Sequence, residues 1–145
     1  MALRDKLERR RLAEEKKQRL ANLSKVVEQF NSQDLRTRLN ALDEWAEEAK
    51  NNPGDPEVLR HIPEVVRHLK DTNTQIIGAA LDAWKTAAKA NPGSDDVLKY
   101  LPAISERRDD PDELVRYAAN SACDIAAKLN PSHPLIQQTL KTETT

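Results

Sequence analysis

The stretch that decides the fold is 84–104, which reads WKTAAKANPGSDDVLKYLPAI. It repeats the stretch 45–65, WAEEAKNNPGDPEVLRHIPEV, which lies 39 residues earlier. Aligning 34–72 with 73–111 without a gap gives 13 identical positions, and the asparagine–proline pair recurs once more at Asn130. A fixed period of this length is typical of chains built from stacked structural repeats.

Each unit of this period reads as two helices joined by turns. Over 76–88, apolar side chains recur at three- and four-residue spacing, the pattern of a helix with one buried face. Similar stripes run over 35–49 and over 114–129, the last of them beginning at Leu114. We therefore expect an all-α chain whose core consists of these stripes.

The turn after each long helix carries its own signal. Asn-Pro-Gly occurs at 52–54 and at 91–93. It predicts a helix end, because asparagine tolerates a left-handed cap, proline cannot continue a helix and glycine bends freely. Asp55 and Ser94 follow and are suited to cap the next helix.

Further boundaries are predicted from capping residues and prolines. Thr72 and Asp110 each precede a glutamine or glutamate by three residues, which is the spacing of a capping box. Pro63 and Pro102 fall inside the first helix of their units, and a proline there is expected to kink the helix.

The composition bounds the class of protein. The 145 residues carry 23 Lys+Arg against 24 Asp+Glu, a net charge of −1, so no bulk attraction to nucleic acid or a membrane surface is expected. No apolar run approaches the roughly 20 residues of a membrane span. The one cysteine, Cys123, cannot form an internal disulfide. We expect a protein without membrane attachment in the reducing cytoplasm.

The chain divides into a charged arm, 1–19, and a repeat domain, 20–145. Residues 1–20 carry a charge of +4 and the remainder −5. The arm is expected to continue the first helix. Its candidate phosphate contacts are Arg9, Arg10, Arg11, Lys16, Lys17 and Arg19. Four interleaved acidic residues and the lack of aromatic residues favour a solvated or capping helix over nucleic-acid binding.

The repeat units are placed at about 20–52, 53–91 and 92–130, followed by a terminal half-unit at 131–142. Because the array ends inside a repeat, its open end could pack on a second copy of the chain. A homodimer is therefore conceivable.

The chain resembles HEAT-repeat proteins over about residues 20–141. The resemblance is carried by 100–119, YLPAISERRDDPDELVRYAA, and by 62–71, IPEVVRHLKD. The family pattern is Leu-Pro near the start of the first helix, Asp at the turn, then Val-Arg and alanines in the second helix. The resemblance implies an α-solenoid of stacked antiparallel helix pairs, forming part of a right-handed superhelix, and a scaffold that binds proteins.

The resemblance also implies a ladder of Asp–Arg pairs along the stack. Arg38 and Asp71 fit this ladder, whereas Ile77 stands where the next arginine belongs, so the rung at Asp110 should be missing. A tetratricopeptide array is the alternative family, but its period is about 34 residues and its Gly and Tyr positions are absent here.

In HEAT arrays the second helices line the concave side, so the resemblance implies a candidate protein-binding face there. Its polar residues are Arg36, Asn40, Asp43, Glu47, Gln75, Asp82, Thr86, Asn120 and Asp124. The same face is also what the solvated side of amphipathic helices would look like. Trp45 and Trp84 occupy one repeat position and are predicted to fill the core, with Cys123 as their buried counterpart.

The sequence contains no recognisable catalytic constellation. His61 and His68 are seven residues apart, which does not suit a shared metal on one helix, and no glycine-rich phosphate loop occurs. We therefore expect no enzyme activity, cofactor or metal. The favoured hypothesis is a non-catalytic scaffold that binds a protein. The alternatives are a nucleic-acid-binding repeat protein that uses the basic arm, and an engineered or fragment array whose only function is its fold.

Overall fold

The computed structural model describes residues 2–140, so residues 141–145 of the predicted repeat domain lie outside it. Within that range the chain is helical, with turns and no strand, which confirms the prediction of an all-α protein. The α-helices are α1 (Ala2–Gln29), α2 (Leu35–Asn51), α3 (Pro56–Leu59), α4 (Ile62–Arg67), α5 (Thr74–Ala90), α6 (Asp95–Leu98), α7 (Leu101–Glu106), α8 (Glu113–Leu129) and α9 (Pro134–Leu140). Single 3₁₀ turns, His68–Lys70 and Arg107–Asp109, follow α4 and α7.

The elements repeat at the period that the sequence predicts. The long helices α2, α5 and α8 have 17 residues each and begin 39 residues apart. The short helices α3 and α6, α4 and α7, and the two 3₁₀ turns are offset by the same 39 residues. Every unit boundary is therefore set by equivalent residues.

The first helix of the second and third units is interrupted rather than kinked, whereas α1 is continuous. The chain leaves helical geometry at His61 and Tyr100, where φ is −94° and −91° and ψ is 1° and 0°. Pro63 and Pro102 come two residues later, in the first turn of α4 and α7. A proline ring would clash with the carbonyl four residues earlier, whereas in a first turn its missing N–H costs nothing. The predicted kinks are thus replaced by a break and a restart.

The N-caps of the long helices correct the predicted capping boxes. The capping residues are Asp34, Asn73 and Asp112, again 39 apart, and each accepts a hydrogen bond from a backbone N–H of the first turn. Thr72 and Asp110 precede the true caps. The Asp110 carboxylate instead accepts the N–H of Asp112 at 2.9 Å, which forms the turn that leads into α8.

The core is a continuous apolar layer between the helices. α5 packs against both α2 and α8, while α4 covers α5 and α7 covers α8. Trp45 and Trp84 are completely buried, as predicted, and their indole N–H groups donate to the carbonyls of Val58 and Val97 at 3.1 and 3.0 Å. Cys123 is buried at the equivalent position of the third unit. Satisfying the indole N–H is what allows so large a side chain to be fully buried.

Asparagine side chains join successive turns. The amide of Asn91 donates to the carbonyl of Ala87 at 2.8 Å, while its oxygen accepts the N–H of Gly54 at 2.5 Å. Asn130 joins Ala126 and Gly93 in the same way, at 2.9 and 2.6 Å. Each asparagine thus ends its own helix and holds the turn of the preceding unit.

Glycine is required in these turns for its backbone conformation. Gly54 and Gly93 have φ of 75° and 76°, and no other residue of the described range has a positive φ. The left-handed conformation predicted for asparagine is therefore adopted by glycine, which bears no Cβ penalty there.

Candidate protein-binding groove

The nine residues of the predicted face lie on α2, α5 and α8, and eight of them are exposed. The ninth, Thr86, is half-buried, and its hydroxyl donates to the carbonyl of Asp82 at 2.9 Å. The structure brings five of the nine into one groove: Arg36, Asn40, Asp43, Gln75 and Asp82. Glu47 lines a separate cleft between α1 and α2, and Asn120 and Asp124 lie outside the groove lining.

The groove has a volume of about 560 Å³ and crosses all three long helices. Because these helices repeat in register, equivalent positions form rungs across it. The first rung contains Arg36, Gln75 and Leu114, and the last contains Asp43 and Asp82. A middle rung of Leu39, Gly78 and Tyr117 lies between them. The groove therefore combines a cation at one end, apolar groups along α8 and carboxylates at the other end.

Two large apolar side chains stand out in this lining. Leu114 and Tyr117 are 77% and 75% exposed, the highest values among the exposed large hydrophobic residues of the described chain. The prediction that Leu114 belongs to the core stripe is wrong, because it lies in the first turn of α8 on the side turned to the groove. The repeat alignment could have predicted the exposure of Leu114, since position 114 is equivalent to Arg36 and Gln75 of the predicted face.

Gly78 opens the middle of the groove. It lies within α5, where a glycine costs about 1 kcal/mol relative to alanine. A Cβ placed on it would meet no atom within 4 Å, so neither packing nor a left-handed φ requires glycine here. The missing side chain leaves the backbone of α5 accessible between Leu39 and Tyr117.

At the acidic end of the groove, the surroundings of Asp82 disfavour its ionised form. Although Asp82 reaches solvent, the surrounding protein desolvates its carboxyl and raises the pKa above the ordinary value. The charge of Lys85 opposes this rise and the charge of Asp43 adds to it. The ammonium of Lys85 is engaged with the hydroxyl of Ser121 at 2.7 Å.

The predicted basic arm continues α1 without a break, and residues 2–18 are exposed along its whole length. Two of its six candidate cations are engaged with acids. Arg11 pairs with Glu8 at 2.5 Å and with Glu15 at 3.4 Å. Arg19 pairs with Asp55 at 2.9 Å and so ties α1 to the turn before α3. Arg9, Arg10, Lys16 and Lys17 remain exposed on the arm.

Of the two histidines singled out in the sequence, His61 makes a local contact and His68 joins its own turn to the end of α1. Nδ1 of His61 lies 2.7 Å from a carboxylate oxygen of Glu64. The ring nitrogens of His68 face the backbone carbonyls of Glu64 and Phe30 at 2.7 and 3.0 Å. Among residues 2–140, no group of three or more His, Cys, Asp or Glu side chains is arranged to hold a metal ion.

The Asp–Arg ladder has the predicted gap. Arg38 pairs with Asp71 at 2.6 Å, which joins α2 to the turn before α5. In the next unit Ile77 occupies the position equivalent to Arg38, and Asp110 is contacted by Arg107 of its own turn at 3.2 Å instead. The turns at Asp71 and Asp110 thus have the same backbone form, but only Asp71 is paired with an arginine of another helix.

None of the helices described over residues 2–140 combines the length and apolar character needed to cross a bilayer. Comparison with protein-family models finds no family that matches the chain, and no curated protein matches it in sequence.

Proposed function

We propose that this chain is a non-catalytic α-solenoid of HEAT-like helix pairs that binds another protein through the groove across α2, α5 and α8. The exact repetition of the helices and their caps supports the stacked arrangement. In such arrays each unit buries its apolar stripe against its neighbours, which leaves the side of the long helices facing the groove open to a partner.

The observation that carries the proposal is the exposure of Leu114 and Tyr117 in a groove with polar ends. Tyrosine is enriched where binding energy concentrates, and an apolar centre with a polar rim is typical of protein interfaces. At the first rung the other two units present polar residues, Arg36 and Gln75, where α8 presents Leu114.

The basic arm provides the alternative function, nucleic-acid binding. Its exposed cations are compatible with phosphate contacts, but Arg11 is paired with acids of its own helix and Arg19 is tied to Asp55. A protein partner at the groove is supported by shape, apolar exposure and charge together, and it is the function we favour.

The test compares capture of proteins from an extract of the source organism by three immobilised forms of the full chain. These are the unmodified protein, a groove variant with Leu114→Ser and Tyr117→Ser, and a control variant with Leu3→Ser and Leu7→Ser. The control changes two leucines that are also exposed, at 71% and 56%, but lie on the arm.

We expect at least one protein to be retained by the unmodified chain and the control variant but lost from the groove variant. Equal retention by all three forms would exclude the groove as the binding surface. Retention of nucleic acid alone, abolished by changing Arg9, Arg10, Lys16 and Lys17 to Gln, would establish the alternative.

A further inference from the structure

We infer that the partner enters the groove as an extended peptide in which a bulky apolar side chain lies two residues from a lysine or arginine. This inference rests on the proposed function and specifies the partner's chemistry. Its basis is the order of groups along the groove, where an apolar wall is followed by a pair of carboxylates.

The apolar part of the occupant is defined by the middle of the groove. Leu39, Leu114 and Tyr117 bound the space above Gly78. Since a Cβ at Gly78 would meet nothing within 4 Å, a peptide can approach the helix backbone closely there. A branched or aromatic side chain placed between Leu114 and Tyr117 would cover apolar surface that is now in water.

The basic part follows from Asp43 and Asp82 at the last rung. Desolvation by the surrounding protein and the charge of Asp43 both disfavour the ionised form of Asp82, so a positive charge placed beside Asp82 in the groove would be favourable. Lys85 is the cation from α5 whose charge opposes both effects, and its ammonium is hydrogen-bonded to Ser121. Arg36 lies at the far end of the groove, seven residues from Asp43. A phosphate or an acidic peptide would be repelled at this rung.

The spacing within the peptide follows from helix geometry. Gly78 and Asp82 are four residues apart on α5, which corresponds to about 6 Å along the helix axis. In an extended chain, side chains two residues apart point the same way and lie about 6–7 Å from each other. An apolar residue over Gly78 therefore positions a basic residue two places away beside Asp82.

The experiment is selection of a displayed library of random nine-residue peptides on the full-length protein. We expect enrichment of Lys or Arg two positions from a bulky apolar residue. A variant with Asp43→Asn and Asp82→Asn should retain the apolar preference while the basic enrichment falls roughly fivefold, the effect of one partly exposed ion pair. Raising the salt concentration should weaken the basic preference in the unmodified protein only.

The groove variant Leu114→Ser with Tyr117→Ser should lose both preferences, and the control Leu3→Ser with Leu7→Ser should lose neither. Groove-dependent selection of acidic or uncharged peptides would overturn the inferred chemistry while leaving the proposed function intact. The inference would also be overturned if the groove variant selected the same peptides as the unmodified protein, or if no peptide was enriched. In either case the capture experiment would test the proposed function separately. Thermal unfolding of each variant distinguishes a lost preference from a lost fold.

Discussion

Two sets of positions on the long helices, the asparagines at their C-terminal ends and the first rung of the groove, differ in how closely the units copy one another. At the C-terminal ends, Asn91 and Asn130 make the same pair of hydrogen bonds to the same kinds of group. Toward the N-terminal ends, the equivalent positions of the first rung are occupied by Arg36, Gln75 and Leu114. The asparagine contacts repeat in atomic detail, whereas the side chains of the first rung differ in every unit.

This difference separates residues that hold the units together from residues that are free to serve a partner. A turn that contacts the next unit must satisfy the same backbone groups in each unit, so its side chains recur. A position facing the groove has no neighbour of its own chain to satisfy. Substitutions at the repeated end should therefore change stability, and substitutions in the groove should change binding with little effect on stability.

The largest loss of stability is expected for Trp84→Ala. Removal of a fully buried indole leaves a cavity and removes the hydrogen bond that the indole N–H donates to the Val97 carbonyl, at a cost of about 3–5 kcal/mol. The matched control is Cys123→Ala, which empties far less volume at the equivalent position and should cost about 1 kcal/mol. Urea unfolding followed by circular dichroism measures both. A cost for Trp84→Ala no larger than that of the control would show that the repeated core position is not decisive.

A smaller loss is expected for Asn91→Ala, which tests the link between successive turns. The change removes the bonds to the Ala87 carbonyl and the Gly54 N–H and should cost about 1–3 kcal/mol. Asn52→Ala is the control, since the hydrogen bonds of the Asn52 amide are to the backbone and side chain of Glu48 in its own helix. We expect the control to cost less than half as much in the same urea titration. Equal costs would mean that the bond between units contributes nothing.

Features that recur along the chain were predictable from the sequence, because repetition reveals them. The 39-residue period, the helical content and the burial of Trp45 and Trp84 follow from spacing alone. The N-caps were misplaced by one or two residues, since Thr72 and Asp110 satisfy the same sequence pattern as the residues that cap the helices.

The groove could be predicted only in part. Five of its polar residues were identified as the face opposite the apolar stripes, because helical periodicity separates the two sides of a helix. Leu114 was assigned to the core because it is apolar and adjoins the stripe of α8, although its repeat equivalents Arg36 and Gln75 belong to the polar face. The role of Gly78 depends on the space between helices, which no local pattern encodes.

The pH dependence of stability can compare the turn at Asp71, which is paired with another helix, with the turn at Asp110, which is not paired in this way. Burial opposes ionisation of Asp71, but hydrogen bonds from the Asn73 N–H and Arg38, with the charge of Arg38, outweigh it and lower the pKa of Asp71. A lowered pKa in the folded protein stabilises the fold above the ordinary pKa of aspartate, and this contribution disappears as the pH falls through the folded value. Asp71→Asn keeps the turn bond but removes the charge.

We therefore expect Asp71→Asn to cost about 1–2 kcal/mol near pH 7 and almost nothing near pH 2. Asp110→Asn, where Arg107 contacts the carboxylate only from within the same turn, should cost less than about 1 kcal/mol at neutral pH. Urea unfolding at the two pH values measures these differences. An Asp71→Asn cost that is independent of pH would show that the pair with Arg38 does not stabilise the fold through its charge.

The smallest expected change has the opposite sign and concerns Gly78. Gly78→Ala should stabilise the protein by about 0.5–1 kcal/mol, because alanine is the better helix former and its Cβ meets nothing within 4 Å. Gly54→Ala is the matched control in a repeated turn, where φ of 75° makes any side chain cost about 1–2 kcal/mol. Gly78→Gln should also leave the fold intact in thermal unfolding, yet fill the groove and abolish retention of the partner. If these replacements strengthen the helix and remove binding, the glycine serves the groove and not the fold. If Gly78→Ala instead destabilised the chain, the fold would require glycine at this position. The middle rung would then not separate residues that stabilise the fold from residues that bind a partner.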